Sequence, residues 1–170
     1  KIRVTTPKLR EIDLVEVLQH IAEETPKQHP DRLVTIKLDL PKGRAIAWCC
    51  ELVEELFHNL IENAIQHTPT DEVVVELRTL PKPVIQEEIP YWHTQIIDYG
   101  TGISDDMKEA LLKSFEPGET FFKRGRLGLV IVRTLSDRYR GKIWFSDRVT
   151  GNPSKGTIAN VLLPQQKEEK

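Results

Sequence analysis

Apolar residues arrive in pairs four positions apart: Leu52-Val53, Leu56-Phe57, Leu60-Ile61 and Ala64-Ile65. A β-strand sends successive side chains to opposite faces and cannot gather such pairs on one side, whereas a helix of 3.6 residues per turn does. Residues 50–67 are therefore expected to form one long amphipathic helix. Its other side carries Glu55, Asn59, Asn63 and His67 at i, i+4 spacing, with Gln66 beside the end of the row. The apolar stripe demands a covering layer, and the carboxamide row opposite suits the wall of a polar pocket.

The rest of the chain supplies that layer. Val34, Ile36, Leu38 and Leu40 alternate with polar residues, which marks a strand with one buried face. Residues 73–80 and 94–98 read as further strands, and residues 142–146 and 157–163 as a closing pair joined through Gly151-Asn152-Pro153. Upstream, Leu14, Val15, Leu18 and Ile21-Ala22 recur at helical spacing behind Asp13, a candidate N-cap, until Pro26 and Pro30 end the pattern. Ser104 can cap a short helix reaching Phe115, residues 116–126 lack periodicity and read as a loop, and residues 127–139 read as a helix. The prolines at 81, 83 and 90 disfavour regular structure between them. The order implies an α/β (α+β) two-layer sandwich, a mixed sheet packed on one face by about three helices. One domain is expected over residues 1–164, with a charged tail at 165–170.

At 170 residues and 39% apolar, the chain has material for one core and not for two. The net charge of −2 argues against nucleic acid as a partner, which calls for a basic surface. Charge is uneven all the same, with eight Lys or Arg residues against three acids between Lys113 and Lys142. That excess suits a polyphosphate, or else a solvated charged face. Cys49 and Cys50 are adjacent, neither a zinc spacing nor a disulfide framework, and read as reduced thiols of a cytosolic protein. No apolar run reaches the roughly 18 residues that span a bilayer. The chain opens Lys1-Ile2-Arg3 without Met, so sensory or membrane-bound parts are expected upstream of a cytoplasmic domain.

Two glycine-containing turns follow the long helix. In Asp98-Tyr99-Gly100-Thr101-Gly102 a carboxylate ends an apolar strand, where it can accept a hydrogen bond from an exocyclic amine. In Arg126-Leu127-Gly128-Leu129 a glycine opens a helix, and a helix N-terminus favours phosphate. With Asn59 and Asn63 ahead of them, these elements read as a pocket for ATP and Mg²⁺, an ion that takes only one or two protein oxygens beside waters and phosphates.

In this order the motifs resemble those of the catalytic, ATP-binding domain of sensor histidine kinases, within the superfamily shared with gyrase, Hsp90 and MutL. The resemblance runs from about residue 12 to residue 164 and implies the Bergerat-type ATP-binding fold. It implies transfer of the γ-phosphoryl group of ATP to a histidine on a separate dimerisation domain, with a response regulator as a further partner. By the same resemblance Asn63 is the Mg²⁺ ligand, Asp98 recognises the adenine amino group, and Gly100 and Gly102 let the backbone pass close to the nucleotide. Asn59, Asn63 and Arg126 form the catalytic set. His67, Ile103, Leu127, Gly128, Leu129 and Thr157 join them around the nucleotide, with Thr157 bonding to Asp98 directly or through water. Phe115-Glu116-Pro117 resembles a further family motif, and the isolated domain is expected to be monomeric.

Three positions depart from the family pattern. Gln66 stands where relatives commonly carry Lys or Arg. Arg126 replaces a glycine, and either supplies a guanidinium to the phosphates or marks a degenerate loop. Asn59 occupies the place where the superfamily's ATPases have a glutamate base, and a carboxamide does not take up a proton. A histidine kinase is the reading these residues favour. The alternatives are a non-catalytic nucleotide-binding or scaffold domain, and an ATPase. None of the five histidines has the context of a phosphoacceptor helix.

Overall fold

In a computed structural model of the chain, the described residues are 6–103, 108 and 126–167. The N-terminal segment forms β1 (Arg10–Asp13), which runs directly into α1 (Leu14–Glu24). Asp13 makes this junction: its Oδ1 accepts from the amide of Val15, capping the helix, and from the amide of Ala45, anchoring the loop before β3 (Ile46–Cys49). β1 and β3 pair as a separate two-stranded ribbon. A single 3₁₀ turn, Pro26–Gln28, ends the α1 region as its prolines require.

The main sheet has the order β2 (Leu33–Asp39), β4 (Glu72–Thr79), β6 (Ile89–Asp98), β8 (Asn152–Pro164) and β7 (Lys142–Val149), with β5 (Val84–Gln86) paired to β6. β2 and β4 are parallel, with α2 (Val53–Gln66) on the chain path between them, and all other pairs are antiparallel. This mixed sheet carries α1, α2 and α3 (Arg126–Arg138), an α+β sandwich as expected. The paired apolar residues of α2 are all buried, except that Leu52 lies just ahead of the helix and is half-buried. They belong to one core with Val73, Val75 and Leu77 of β4, Ile96 of β6 and Val161 and Leu163 of β8.

Several expectations need correction. The proline-rich stretch is a hairpin: β5 and β6 flank a two-residue turn in which Glu87 and Glu88 take φ of 50° and 67°. Pro90 lies in β6 opposite Ile85, so a proline is accommodated in this short, peripheral pairing. Gly151-Asn152-Pro153 is mostly strand, since β8 begins at Asn152 and β7 continues to Val149. β1 and β3 were not expected, and α2 starts at Val53, after a turn in which Cys50 O accepts the Val53 amide. The thiols of Cys49 and Cys50 are free and buried; burial pushes the Cys49 thiol up to about 12, and Cys50 Sγ lies 3.1 Å from the hydroxyl of Tyr139. The expected helix from Ser104 to Phe115, the Phe115-Glu116-Pro117 motif and the expected loop at 116–126 fall outside the described residues, Lys108 apart, except that Arg126 is already the first residue of α3 and not part of a loop.

Candidate functional site

Asp98 is the last residue of β6, and its side chain is buried. Its Oδ1 accepts two backbone amides, Gly100 N at 3.0 Å and Thr157 N at 3.1 Å. Burial raises the pKa of this carboxyl; the two amide bonds, then His67 and Arg148, pull it down without cancelling the rise. Thr157 therefore does bond to Asp98 directly, but through its amide. Its hydroxyl is buried with no partner among the described residues. A buried hydroxyl beside a buried carboxylate calls for a polar group to occupy the space next to them.

The glycines after Asp98 serve a purpose not anticipated from the sequence. Their close neighbours are protein backbone: a Cβ at Gly100 would lie 2.3 Å from His67 O, and one at Gly102 would lie 1.6 Å from Pro153 O. The turn after β6 is thereby pressed onto the end of α2, where Thr101 N donates to His67 O at 3.1 Å. The Asp98 carboxylate and the asparagine-bearing helix are thus mechanically joined.

Asn59 and Asn63 of α2 and His67 at its C-cap are half-buried, while Glu55 and Gln66 are exposed. Asn59 Nδ2 donates to Glu55 O at 2.7 Å, and the first turn of α3 approaches so closely that a Cβ on Gly128 would lie 2.7 Å from Asn59 Oδ1. A side chain at residue 128 would require the Asn59 carboxamide to shift. Ile103 and Leu129 are buried members of the core. Arg126 and Leu127 open α3, and their side chains lie outside the description. Glu62 points away from this row, to His29 Nε2 at 2.8 Å. Among the described residues no group of three or more His, Cys, Asp or Glu could hold a metal ion.

Arg148 was missed. It influences Asp98, its guanidinium lies 4.3 Å from the centre of the Tyr99 ring, and its Nε donates to Lys155 O at 2.7 Å. Only the β7–β8 hairpin brings it there, and no local pattern announces that. A cavity of about 720 Å³, lined by Trp48, Tyr91 and Tyr139 among others, opens near the start of β6. Asp98 ends the same ten-residue strand, roughly 30 Å away at the usual strand rise, so the cavity is not this site.

A family model described as histidine kinase-, DNA gyrase B- and HSP90-like ATPase matches residues 51–167. The chain belongs to this family. The match covers α2, the Asp98 turn, α3 and β8, so every element of the site lies inside it. Histidine kinase P4 of Formosa agariphila is 29% identical over 120 residues, 66% of this chain and 8% of that protein. The adaptive-response sensory kinase SasA of Synechocystis is 24% identical over 159 residues, 91% of this chain and 39% of that protein. The chain thus spans well under half the length of these relatives. In fold it resembles the catalytic domain of histidine kinase ThkA, with a TM-score of 0.72 at 16% identity over 94% of this chain and 99% of that one. Full-length ShkA in complex with AMPPNP gives 0.70 over 99% of this chain and 33% of that one. The chain is a histidine kinase-type ATP-binding domain, and no helix among its described residues is long and apolar enough to cross a membrane.

Proposed function

We propose that this domain binds ATP with Mg²⁺ and presents the γ-phosphoryl group to a histidine on a separate dimerisation domain. One observation carries the reading. Asp98 is a buried carboxylate whose two amide bonds both end on Oδ1, beside the partnerless hydroxyl of Thr157. An ionised carboxylate only accepts, so it calls for a donor such as the amino group of adenine, and a hydroxyl can serve a ring nitrogen or a bridging water.

Asn63, half-buried and four residues before His67, would hold Mg²⁺ through its side-chain oxygen. When bound, the ion offsets charge on the phosphates. The α3 N-terminus, with Arg126, Leu127, Gly128 and Leu129, offers backbone amides to the phosphates, and Arg126 adds a guanidinium. Asn59 cannot act as a base, Glu62 is engaged by His29, and Glu55 is exposed on the outer surface. These residues position a donor and leave the nucleophile to the acceptor domain. Consistent with relatives named as sensor kinases, we place the domain on the cytoplasmic side of a larger sensor that passes the phosphoryl group to a response regulator.

Calorimetric titration of the chain with ATP and ADP, with and without Mg²⁺, tests this reading. Affinity for both nucleotides, lost in Asp98→Asn, is expected. Wild-type affinity in that variant would remove Asp98 from base recognition.

A further inference from the structure

Arg32 sits one residue before β2, and its guanidinium reaches across the end of α2. Nη1 donates to Ile65 O at 3.0 Å, and Nη2 donates to Thr68 O and Thr70 O, both at 2.5 Å. These acceptors belong to the last turn of α2 and to the turn leading into β4. Carbonyls at a helix C-terminus lack intrahelical partners and carry the negative end of the helix dipole, which a planar, multiply donating cation suits. The neighbouring residues reinforce the contact. Leu33 N donates to Asp71 O at 2.9 Å, Arg32 N donates to His29 O at 3.2 Å, and His29 holds Glu62. Residues 29–33 therefore brace the 65–71 turn from one side.

The other side of that turn faces the site. His67 O accepts the amide of Thr101 at 3.1 Å and its hydroxyl at 3.3 Å, and Gly100 packs directly against the same carbonyl. The amide of Gly100 in turn donates to Asp98 Oδ1. A shift of the 65–71 turn would move His67 O, then the Gly100-Thr101 backbone, then the carboxylate.

We propose that Arg32 is a positioning residue for base recognition: it fixes the end of α2 and, through His67 O and the Gly100-Thr101 backbone, the orientation of Asp98. This rests on the reading of Asp98 as the group that binds adenine. Arg32 itself touches no ligand. A lysine at this position carries the charge as a compact ammonium and cannot span the three carbonyls as a guanidinium fork does.

The test compares wild type, Arg32→Ala and Arg32→Lys by ADP and ATP titration, thermal melting and hydrogen exchange at the Thr101 amide. Arg32→Ala is expected to weaken ADP and ATP alike by about tenfold, the scale of coupling between groups in one hydrogen-bond network, and to speed exchange at Thr101. Arg32→Lys should recover part of both effects, and it carries the test if the alanine variant does not fold. A lowered melting temperature with unchanged affinity and unchanged Thr101 protection, measured where the variants are folded, would assign Arg32 to stability alone and overturn the proposal. If the wild-type chain bound no adenine nucleotide, the nucleotide reading would fall, and exchange at Thr101 would decide the positioning role on its own, unchanged protection overturning it.

Discussion

The amide of Thr157 donates to Asp98 Oδ1 at 3.1 Å, so β8 and the end of β6 are fastened by the same carboxylate that the proposed site depends on. Burial has raised the pKa of this group, which means that keeping it ionised in the ligand-free protein opposes folding. The site carries a stability cost that a ligand donor can offset.

Asp98→Asn should separate the two roles. Asparagine keeps an oxygen for the Gly100 and Thr157 amides and removes the buried charge, so the melting temperature of the ligand-free chain at neutral pH is expected to hold or rise. Affinity for ATP and ADP should fall, because an Nδ2 donor replaces an acceptor. The pH dependence follows in sign. The folded state binds the Asp98 proton more tightly than the unfolded state, so this group's contribution to stability grows as pH falls from above its raised value toward the ordinary 3.8. Nucleotide affinity should move the other way, weakening as Asp98 is protonated. Melting and titration series in wild type and Asp98→Asn between pH 4 and pH 7 check both slopes, and a variant with the wild-type pH profile of affinity would exclude Asp98 as the titrating group.

Asn63→Ala addresses a different part of the same ligand. Asn63 is half-buried and its side chain makes no hydrogen bond among the described residues, so its removal should change the fold little. ATP affinity in Mg²⁺ is expected to drop by about tenfold or more, while affinity measured in a chelator stays near wild type, unlike the metal-independent loss in Asp98→Asn. Equal losses with and without Mg²⁺ would assign Asn63 to the pocket wall.

The long helix and the Asp13 cap were legible because each is a local pattern with one physical cause, whereas the alternation at 34–40 found β2 but not its exposure, since at this sheet edge Val34 is buried, Ile36 half-buried and Leu38 exposed. The missed elements lack such patterns. Glu87-Glu88 makes a tight turn at positive φ without the Asn or Gly that usually announces one, and the four-residue strands β1 and β3 are too short to show periodicity. Motif order singled out Asp98, Thr157 and the asparagine row, and the structure brings the Thr157 amide onto Asp98 and both asparagines onto α2, yet it could not tell that Gly100 and Gly102 press against protein backbone. Arg32 and Arg148 were invisible for a related reason. Both reach the site region through contacts between segments distant in sequence, which no short window contains.

Gly156→Ala should damage the junction from the other strand. Gly156 has φ +111°, and a Cβ there would lie 2.2 Å from Asp98 O, a backbone atom that cannot swing aside. The strain of such a backbone position is about 1–3 kcal/mol before the clash is counted. For a chain of this size each 1 kcal/mol corresponds to roughly 2–4 °C in melting temperature. A fall of several degrees is expected, with nucleotide affinity reduced because Asp98 is displaced. Gly151→Ala is the control, since its φ is also positive while nothing lies within 4 Å, so only the backbone part of the penalty should appear. Equal losses in the two variants would show that contact with Asp98 O is unimportant.

Binding and chemistry should also come apart in the isolated chain. Asn59 stands one turn before the proposed metal ligand, where a carboxylate would be needed to activate water, and its Nδ2 is tied to Glu55 O. Glu62, the nearest acid in sequence to Asn63, is held by His29 on another side of the helix. The chain alone is therefore expected to bind ATP, to release phosphate no faster than the uncatalysed background, and to remain unlabelled by γ-phosphate. Supplying a dimerisation domain with an accessible histidine should produce acid-labile phosphorylation of that domain only, and Asn63→Ala should reduce its rate by about 10²-fold or more, the scale of a lost charge-stabilising contact in phosphoryl transfer. Binding with no transfer to any histidine-bearing domain would favour a scaffold role, to which the exposed Gln66 in place of a basic residue would then point. Steady turnover by the chain alone, abolished in Asn63→Ala, would instead favour an ATPase, and Glu55→Gln would identify whether the exposed carboxylate one turn before Asn59 had been the base.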